Sequence, residues 1–509
     1  MNITLISTST TAGDQGLRTI SSVLKSKGNN VNIIFLTASE DYSKLYSNKI
    51  LEQVKRLCQN SDIIGFSSMT STAKRAIQVI NSLKPLDKLI VWGGIHATLA
   101  PEQCIKHADI VCIGEGEEAM AELVNNLEKK RGINKIKNLW IKTDKGIIKN
   151  PIRLLMQNLD KLPFPDYEIN HHYILKGNKI VKFLEADFNG YIFFLTGRGC
   201  PYCCTYCSNK ALNNIYKNRW GHVRWHSPKY IIKGILYLKN KYSTLKIFDI
   251  RDDTFSLRPL NQIKEFCEMY KQKVGLRMKC LGDPRTISEE KIGLLVDAGC
   301  TDIIIGIQGS ERVNLEIYRR PQRDVDVLNA ARILNKFKEK LAVMYDVITS
   351  NPYETSADII NLIKLIEKLP SPFYLSVNNL VFFTGSELYN RALKEGVIKN
   401  EKDSAIELNY WDRWKHIKLK KKNMYLNLII NLMRGPVSSS RFGLMPRFLL
   451  NFLIKPSIIG FNEKNRIFTY LLGSLVGVSD NIREKIAKPL YRSLPLNFKV
   501  WYDRIRYRV

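Results

Sequence analysis

The sequence predicts an α/β protein in three parts. These are a doubly wound parallel sheet over residues 1–150, a partial (β/α)6 barrel over 185–404, and a mostly helical, basic region over 405–509, with a linker at 151–184. Three observations carry this reading. Five short apolar runs alternate with helix-periodic stretches in the first part, six more do so in the second, and in the third the apolar runs are interleaved with arginine and lysine. A chain of 509 residues exceeds one ordinary domain, and 45% hydrophobic content supports globular folding throughout.

In the first part the expected strands are Ile3 to Ile6, Val31 to Leu36, Ile63 to Phe66, Leu89 to Trp92 and Ile110 to Ile113. Between the first two, Leu17, Ile20, Val23 and Leu24 recur at helical spacing and Gly28 supplies a stop, which makes the unit strand, helix, parallel strand. Ligands of such sheets bind beyond the strand carboxyl ends. The loops there are rich in small and hydroxylated residues: Ser7 and Thr8 through Gly13, then Ser67 to Ser71 with Met69 and Thr70, then Gly93-Gly94-Ile95-His96, then Gly114-Glu115-Gly116-Glu117. Small side chains permit close backbone approach to a large flat ligand. Read structurally, the same glycines are ordinary strand-to-helix turns.

The linker contains Leu159-Asp160-Lys161-Leu162-Pro163-Phe164-Pro165-Asp166-Tyr167, whose prolines force an extended path. The second part has expected strands at Ile192 to Leu195, Leu245 to Phe248, Leu276 to Leu281, Ile303 to Ile307, Val343 to Ile348 and Tyr374 to Val381. Barrels of this kind place catalytic residues at the carboxyl ends of strands. After the first of these strands come a Gly197-Arg198-Gly199 turn and four of the chain's ten cysteines. Cys200, Cys204 and Cys207 form C-x3-C-x2-C, a spacing that lets three thiolates on one loop hold three corners of an iron-sulfur cubane and leave the fourth iron open. Cys203 fits none of the three slots. A zinc site would want a second pair of ligands, and disulfides would want spread, even-numbered cysteines behind a secretory leader; neither pattern is apparent.

These motifs resemble the cobalamin-binding radical S-adenosylmethionine (SAM) enzymes, of the class B methylase type. The cysteine trio with Tyr206, the Gly93-Gly94-x-His96 and Gly114-Glu115-Gly116-Glu117 loops, and the linker pattern carry the resemblance, which covers residues 1 to about 400. It implies a Rossmann-like cobalamin domain, a TIM-like radical SAM barrel, and three cofactors: a 4Fe-4S cluster on Cys200, Cys204 and Cys207, SAM, and cobalamin. The cobalamin contacts it implies are Ser7, Thr8, Ser67, Met69, Thr70, Gly93, Gly94, His96, Gly114, Glu115 and Gly116. No D-x-H-x-x-G motif offers the cobalt a histidine, so base-off binding is expected. SAM contacts are implied at Tyr206, at Asp252 and Asp253 in the acidic stretch after the second strand, and at Gln308, where the segment is one residue shorter than in relatives. Asp252 or Asp253 could equally cap the next helix. Asp346 to Thr355 resembles the family's D-x-I-x-G-x-P-x-E-T segment, with Ser350 in place of the glycine.

The activity implied is reductive cleavage of SAM to a 5'-deoxyadenosyl radical, leading to methylation of an unactivated carbon. Ring formation or rearrangement with the same cofactors is the first alternative. A cobalamin-responsive regulator is the second, although an open iron has no place in a regulator, and no helix-turn-helix or zinc finger points to nucleic acid. Expected partners are a small or lipid-like substrate and an electron donor such as flavodoxin or ferredoxin.

Net charge is +30, from 78 Lys and Arg against 48 Asp and Glu, and residues 411–509 hold 20 basic residues but only 5 acidic ones. Apolar runs at Tyr425 to Met433, Phe448 to Ile454 and Ile467 to Val476 read as short helices that either pack over the barrel or lie on a membrane. No run approaches the roughly 18 apolar residues of a membrane span, and Met1 leads straight into a strand rather than a leader. The expected location is therefore an oxygen-free cytoplasm, with peripheral contact at the inner face of the membrane through the basic end.

Overall fold

The apolar, β-branched run after Met1 has no helical period and forms β1 (Asn2–Ser7). The computed structural model describes residues 1–37, 44–216, 221, 223–399, 419–487 and 490. They fall into two compact units, Met1–Leu245 with Val381–Arg413, and Lys246–Leu380 with Trp414–Val509.

In the first unit β1 lies in a nine-stranded sheet with β2 (Asn30–Phe35), β3 (Ile63–Ser67), β4 (Leu89–Gly93), β5 (Ile110–Cys112), β6 (Leu139–Thr143), β7 (Gly146–Lys149), β8 (His172–Lys176) and β9 (Lys179–Lys182). The order is β7-β6-β5-β4-β3-β1-β2-β8-β9. All five expected strands form and pair in parallel. β6 and β7 add an antiparallel edge beside β5. On the other edge β8 pairs in parallel with β2, and β9 pairs antiparallel with β8. The chain leaves β1 for β2 on one side and returns to β3 on the other, so the crevice of the sheet opens beyond the carboxyl ends of β1 and β3.

Five helices follow the strands of this half in turn: α1 (Gln15–Ser26), α2 (Asn48–Cys58), α3 (Ala73–Leu83), α4 (Ile95–Leu99) and α5 (Pro101–Cys104); α6 (Glu117–Glu128) then leads away from β5. α1 begins where Asp14 Oδ1 accepts the Leu17 N–H at 3.1 Å, and stops before Gly28 at φ +86°. α2 and α3 close one face over Ile6, Ile34, Ile64, Phe66 and Trp92.

The expected linker is more than a connector, because it supplies β8 and β9 and clamps α1. The Asp166 carboxylate accepts the Ser21 hydroxyl at 2.6 Å and lies 2.7 Å from Lys25 and 3.2 Å from His172. Burial pushes that carboxyl up, but His172 and Lys25 outweigh it and hold it well below the usual range. The Arg18 guanidinium is fully buried, donates to the carbonyls of Ala12 and Asp166, and lies 4.6 Å over the Phe35 ring and 4.7 Å over Tyr167. Tyr167 in turn donates to the Phe193 carbonyl. Asp160 accepts from the Ser227 N–H at 3.0 Å and pairs with His226 at 3.1 Å. Proline sets the path here, and charged groups at fixed offsets fasten it.

The unit continues with β10 (Tyr191–Phe194), β11 (Gly197–Arg198), α7 (Ser208–Tyr216), β12 (Arg224–Trp225) and α8 (Pro228–Lys241). β11 and β12 pair antiparallel.

In the second unit five parallel strands stand in order: β13 (Ile247–Ile250), β14 (Arg277–Gly282), β15 (Cys300–Gln308), β16 (Ala342–Thr349) and β17 (Phe373–Asn379). With β10 these are the six strands the sequence predicts. Three short antiparallel strands extend the sheet from β17: β18 (Gly435–Val437), β19 (Arg441–Phe442) and β20 (Met445–Pro446). The interleaved helices are α9 (Leu260–Lys273), α10 (Glu289–Asp297), α11 (Asp324–Asn335) and α12 (Ser356–Glu367). α10 starts two residues later than a Thr286-x-x-Glu289 capping pattern in the sequence would place it. Ser288 is the cap, its hydroxyl accepting the Lys291 N–H, while Thr286 closes a short 3-10 turn from Pro284. Neither Asp252 nor Asp253 caps a helix: Thr254 precedes the next 3-10 turn and Pro259 precedes α9.

The C-terminal helices are α13 (Lys421–Met433), α14 (Arg447–Leu453), α15 (Pro456–Asn465) and α16 (Ile467–Ile482). Of the region expected to be helical, residues 405–418, 488–489 and 491–509 lie outside the described residues. α13 is buried nearly all round and reads the loop after β16. Asn427 accepts the Ser350 N–H at 2.8 Å, and Asn423 donates to the Glu354 carbonyl at 2.6 Å. Ser350 sits at φ +58°, the left-handed region that favours glycine, the residue that the resembled motif has at this place.

The Glu354 carboxyl is buried in the same loop, and burial, reinforced by Asp358, pushes it up to about 8. Its folded pKa lies above the roughly 4.3 of an unfolded glutamate. The contribution is thus complete below about pH 4 and lost as pH rises towards 8. Glu354→Gln should unfold at a higher temperature than wild type at pH 8 and above and lose that advantage near pH 4, as followed by calorimetry.

Candidate functional site

The strand-end loops of the first unit lie side by side along one edge of the sheet, as the strand order requires. In the first loop the Ser7 hydroxyl donates to Asp14 at 3.0 Å, and the buried Thr8 hydroxyl donates to Thr72 Oγ1 at 3.2 Å, tying the loops after β1 and β3 together. The loop after β3 carries exposed Met69 and buried Thr70. Gly94, at φ +89°, allows the loop after β4 to cross it: a Cβ there would stand 3.0 Å from Ser67 Oγ and 3.1 Å from the Ser68 nitrogen. Gly93 precedes it at the end of β4.

His96 is buried at the start of α4, with Nδ1 3.4 Å from the Thr70 hydroxyl and its ring 5.8 Å from that of Trp92. Burial lowers its pKa to about 4, so the ring is neutral at pH 7 and braces the two loops. In the last loop Gly114 N–H donates to Thr98 at 2.9 Å, and the Tyr216 hydroxyl accepts the Glu115 N–H at 3.0 Å against the bare α-carbon of Gly114. Gly116 caps α6.

The cysteine loop stands in the same unit. Gly199, at φ +87°, turns the chain out of β11 into Cys200. Cys204 is buried, Cys200, Cys203 and Cys207 are half-buried, and all ten cysteines are thiols. The loop is fastened from behind: Asn213 of α7 donates to the Cys200 carbonyl at 3.1 Å, the Cys207 N–H to the Cys204 carbonyl at 3.0 Å, and Asn209 approaches Cys207 Sγ at 3.8 Å. The Leu388 N–H holds the Thr205 carbonyl at 2.9 Å from the helix Glu387–Lys394. Half-buried Tyr206 completes the loop. Among the described residues no three His, Cys, Asp or Glu side chains are drawn together closely enough for a metal ion. The fit to an iron-sulfur cluster therefore rests on the donor set, three thiols on one braced loop with two of them half-buried. The small-residue edge next to it is likewise a fit for a broad, flat cofactor.

Joining the two sets of loops is a cluster of charge that the sequence reading did not include. Arg198, next to the cysteine loop, lies 3.1 Å from Glu115 and 2.6 Å from Glu117. Arg224 grips the Glu115 carboxylate through two nitrogens, at 2.6 and 3.1 Å, and donates to the Met156 carbonyl at 2.7 Å. Burial pushes the Glu115 carboxyl up, yet Arg224 and Arg198 outweigh that and hold it below its usual range. Burial likewise lowers Arg198, and Glu117 with Glu115 more than restores its charge. Glu115, expected as a cofactor contact, thus has its carboxylate committed to arginine. Only the position of Arg198 beside the cysteines offered a sequence signal for this.

In the second unit, Asp252 is buried and Asp253 exposed just beyond β13, while Gln308 ends β15 at φ +66°, where the register with β16 shifts. Strand alternation turns Met344, Asp346 and Ile348 of β16 to the less buried face. Asp346 is in register with Ser376 of β17, and Asp249 of β13 with Lys279 of β14. Burial raises both carboxyls, and Lys279 opposes the shift in each. Lys279 was not expected; in sequence it looks like any surface lysine.

Residues 1–124 match the B12 binding domain family and residues 194–366 the Radical SAM superfamily. An uncharacterized methyltransferase of Pyrococcus horikoshii, PH0819, is 26% identical over 416 residues, 78% of this chain and 84% of its own length. The anaerobic magnesium-protoporphyrin IX monomethyl ester cyclase of Synechocystis is 23% identical over 336 residues, 63% of this chain and 62% of its own length. The solved structure of a radical SAM methyltransferase, TsrM from Kitasatospora setae, with cobalamin and a 4Fe-4S cluster bound, is similar in fold at 15% identity, with a TM-score of 0.61 over 77% of this chain and 75% of that one.

The charge cluster sets an energetic expectation. Glu115→Gln leaves Arg224, itself buried, without its bidentate partner, and should lower stability by about 3 kcal/mol, the lower end for breaking a buried pair. Urea unfolding of the purified protein measures it, and Glu118→Gln, at an exposed neighbour, should change it by less than about 0.5 kcal/mol.

Proposed function

We propose that this chain, a cobalamin-binding radical SAM enzyme by its two matched domains, transfers a methyl group to an unactivated carbon. The observation that carries the reading is that the strand-end loops of the B12 binding domain and the cysteine loop sit in one compact unit, bolted together through Glu115, Arg198 and Arg224. When bound, the cofactors supply one-electron cleavage of SAM and a transferable methyl group. Cys200, Cys204 and Cys207 would ligate the cluster, and Asn209 would direct its amide at the Cys207 sulfur, an outer contact of the kind that tunes such centres. Asp252, Asp253, Tyr206 and Gln308 would orient SAM, and the loops from Ser7 to Gly116 would receive cobalamin.

The substrate proposed is a small or lipid-like molecule, with flavodoxin or ferredoxin as electron donor in an oxygen-free cytoplasm. No described helix is long and apolar enough to cross a membrane. Likeness to a cyclase supports ring formation as the second reading.

Anaerobically reconstituted protein should hold about four irons and four sulfides, the content of one cubane. Combined replacement of Cys200, Cys204 and Cys207 by alanine should abolish them, whereas Cys203→Ala should leave them in place.

The reaction itself is read from coproducts. With methyl-labelled SAM, a reductant and an anaerobic metabolite extract, label should enter an extract component, and S-adenosylhomocysteine and 5'-deoxyadenosine should form in equal amounts. Turnover that yields 5'-deoxyadenosine with no S-adenosylhomocysteine and no label in product would replace methylation by the ring-forming reading.

A further inference from the structure

The last described helix inverts the usual pattern of a surface helix. From Ile467 to Ser479, α16 contains no charged residue. It buries only Leu472 and Val476, on the side facing α13. On its solvent side Ile467, Leu471, Leu475, Val478 and Ile482 form one stripe at spacings of three and four, each about half exposed, between 49% and 58%. An amphipathic helix normally turns such a stripe inward.

The stripe is not isolated. Phe468 has its ring 6.5 Å from Phe452 of α14 and 6.2 Å from Phe461 of α15, both of them exposed, so three helices share one apolar surface. Contiguous patches of this kind mark interaction sites, unlike singly scattered apolar residues.

Charge identifies the occupant. Exposed Lys455 stands at the start of α15, exposed Lys464 and Arg466 at the start of α16, and Lys485 just past its end. Asp480 is paired with Arg434, and Glu463 with Lys422 at 3.0 Å. A second copy of the chain would bring the same cations against these, whereas an anionic headgroup layer complements them. The helix has 16 residues, about 24 Å at 1.5 Å per residue, and does not qualify as a span. We infer that α14, α15 and α16 form a docking face that lies in the plane of an anionic lipid bilayer, with the apolar stripe among the acyl chains and the cations at the phosphates. The inference is independent of the cofactor chemistry.

The test uses the full-length protein and sedimentation with two vesicle types, pure phosphatidylcholine and phosphatidylcholine with phosphatidylglycerol. Wild type should bind the anionic vesicles more tightly and release them as salt rises. Lys464→Ser with Arg466→Ser should weaken that binding about 30-fold, at ~1 kcal/mol per cation near the surface. Leu471→Ser, Leu475→Ser and Val478→Ser together should abolish it, with circular dichroism unchanged because all three positions face solvent. No binding, equal binding to both vesicle types, or binding indifferent to these variants would overturn the inference. So would a solution dimer that the triple serine variant dissociates, since a second copy would then be the occupant.

Discussion

Glu115 lies between Arg198 and Arg224, and Arg198 reaches on to Glu117. Two carboxylates and two guanidiniums make a set with no net charge, mostly withdrawn from water, in which each member would be costly to leave alone. Its placement matters more than its energy. Glu115 belongs to the turn after β5 and Glu117 to the first position of α6, Arg198 to the strand that runs into the cysteine loop, and Arg224 to the strand paired with it. Any displacement of the cysteine loop against the small-residue edge must therefore break charge-assisted hydrogen bonds. A reaction that passes between two large cofactors needs that rigidity, because geometry is what the protein contributes to it.

The linker serves the same end on the other flank. Pro163 and Pro165 fix an extended course, and Asp160, Asp166 and Tyr167 spread along it reach three partners apart in sequence: the start of α8, the face of α1 and the carbonyl of Phe193. A segment that looks like a hinge is built as a brace. Arg18, fully buried between the rings of Phe35 and Tyr167, is the pin through which the brace meets the sheet.

Much of this was legible in the sequence. Parallel strands are short apolar runs, so β1 to β5 and β13 to β17 announce themselves within about three residues at each end, although β15 and β16 bury mainly alternate residues. The cysteine trio stands out in the sequence for a different reason, because its three thiols lie within eight residues of each other on one loop. The edges were not: β6 to β9 carry lysines at nearly every other exposed place and look like loop. Ser288 and Thr286 both suit a helix cap, and only the course of the chain after Pro284 chooses between them. The arginine cluster was invisible because its members lie about 80 to 110 residues apart, and nothing local about Arg224 or Lys279 separates them from the many cations of a basic chain.

Ser350 has a consequence for how the molecule comes apart. A non-glycine residue in the left-handed region persists where its surroundings over-determine it, and here the surroundings include Asn427 of a helix some 77 positions later in the chain, along with Asn379 at 2.8 Å from the serine hydroxyl. β16 and the helix that follows it from the C-terminal region, α13, are consequently tied into one cooperative unit of unfolding. Amides of β16 and of α13 should share an opening event in hydrogen exchange, and the helix is closer to a missing piece of the barrel than to an appendage placed upon it.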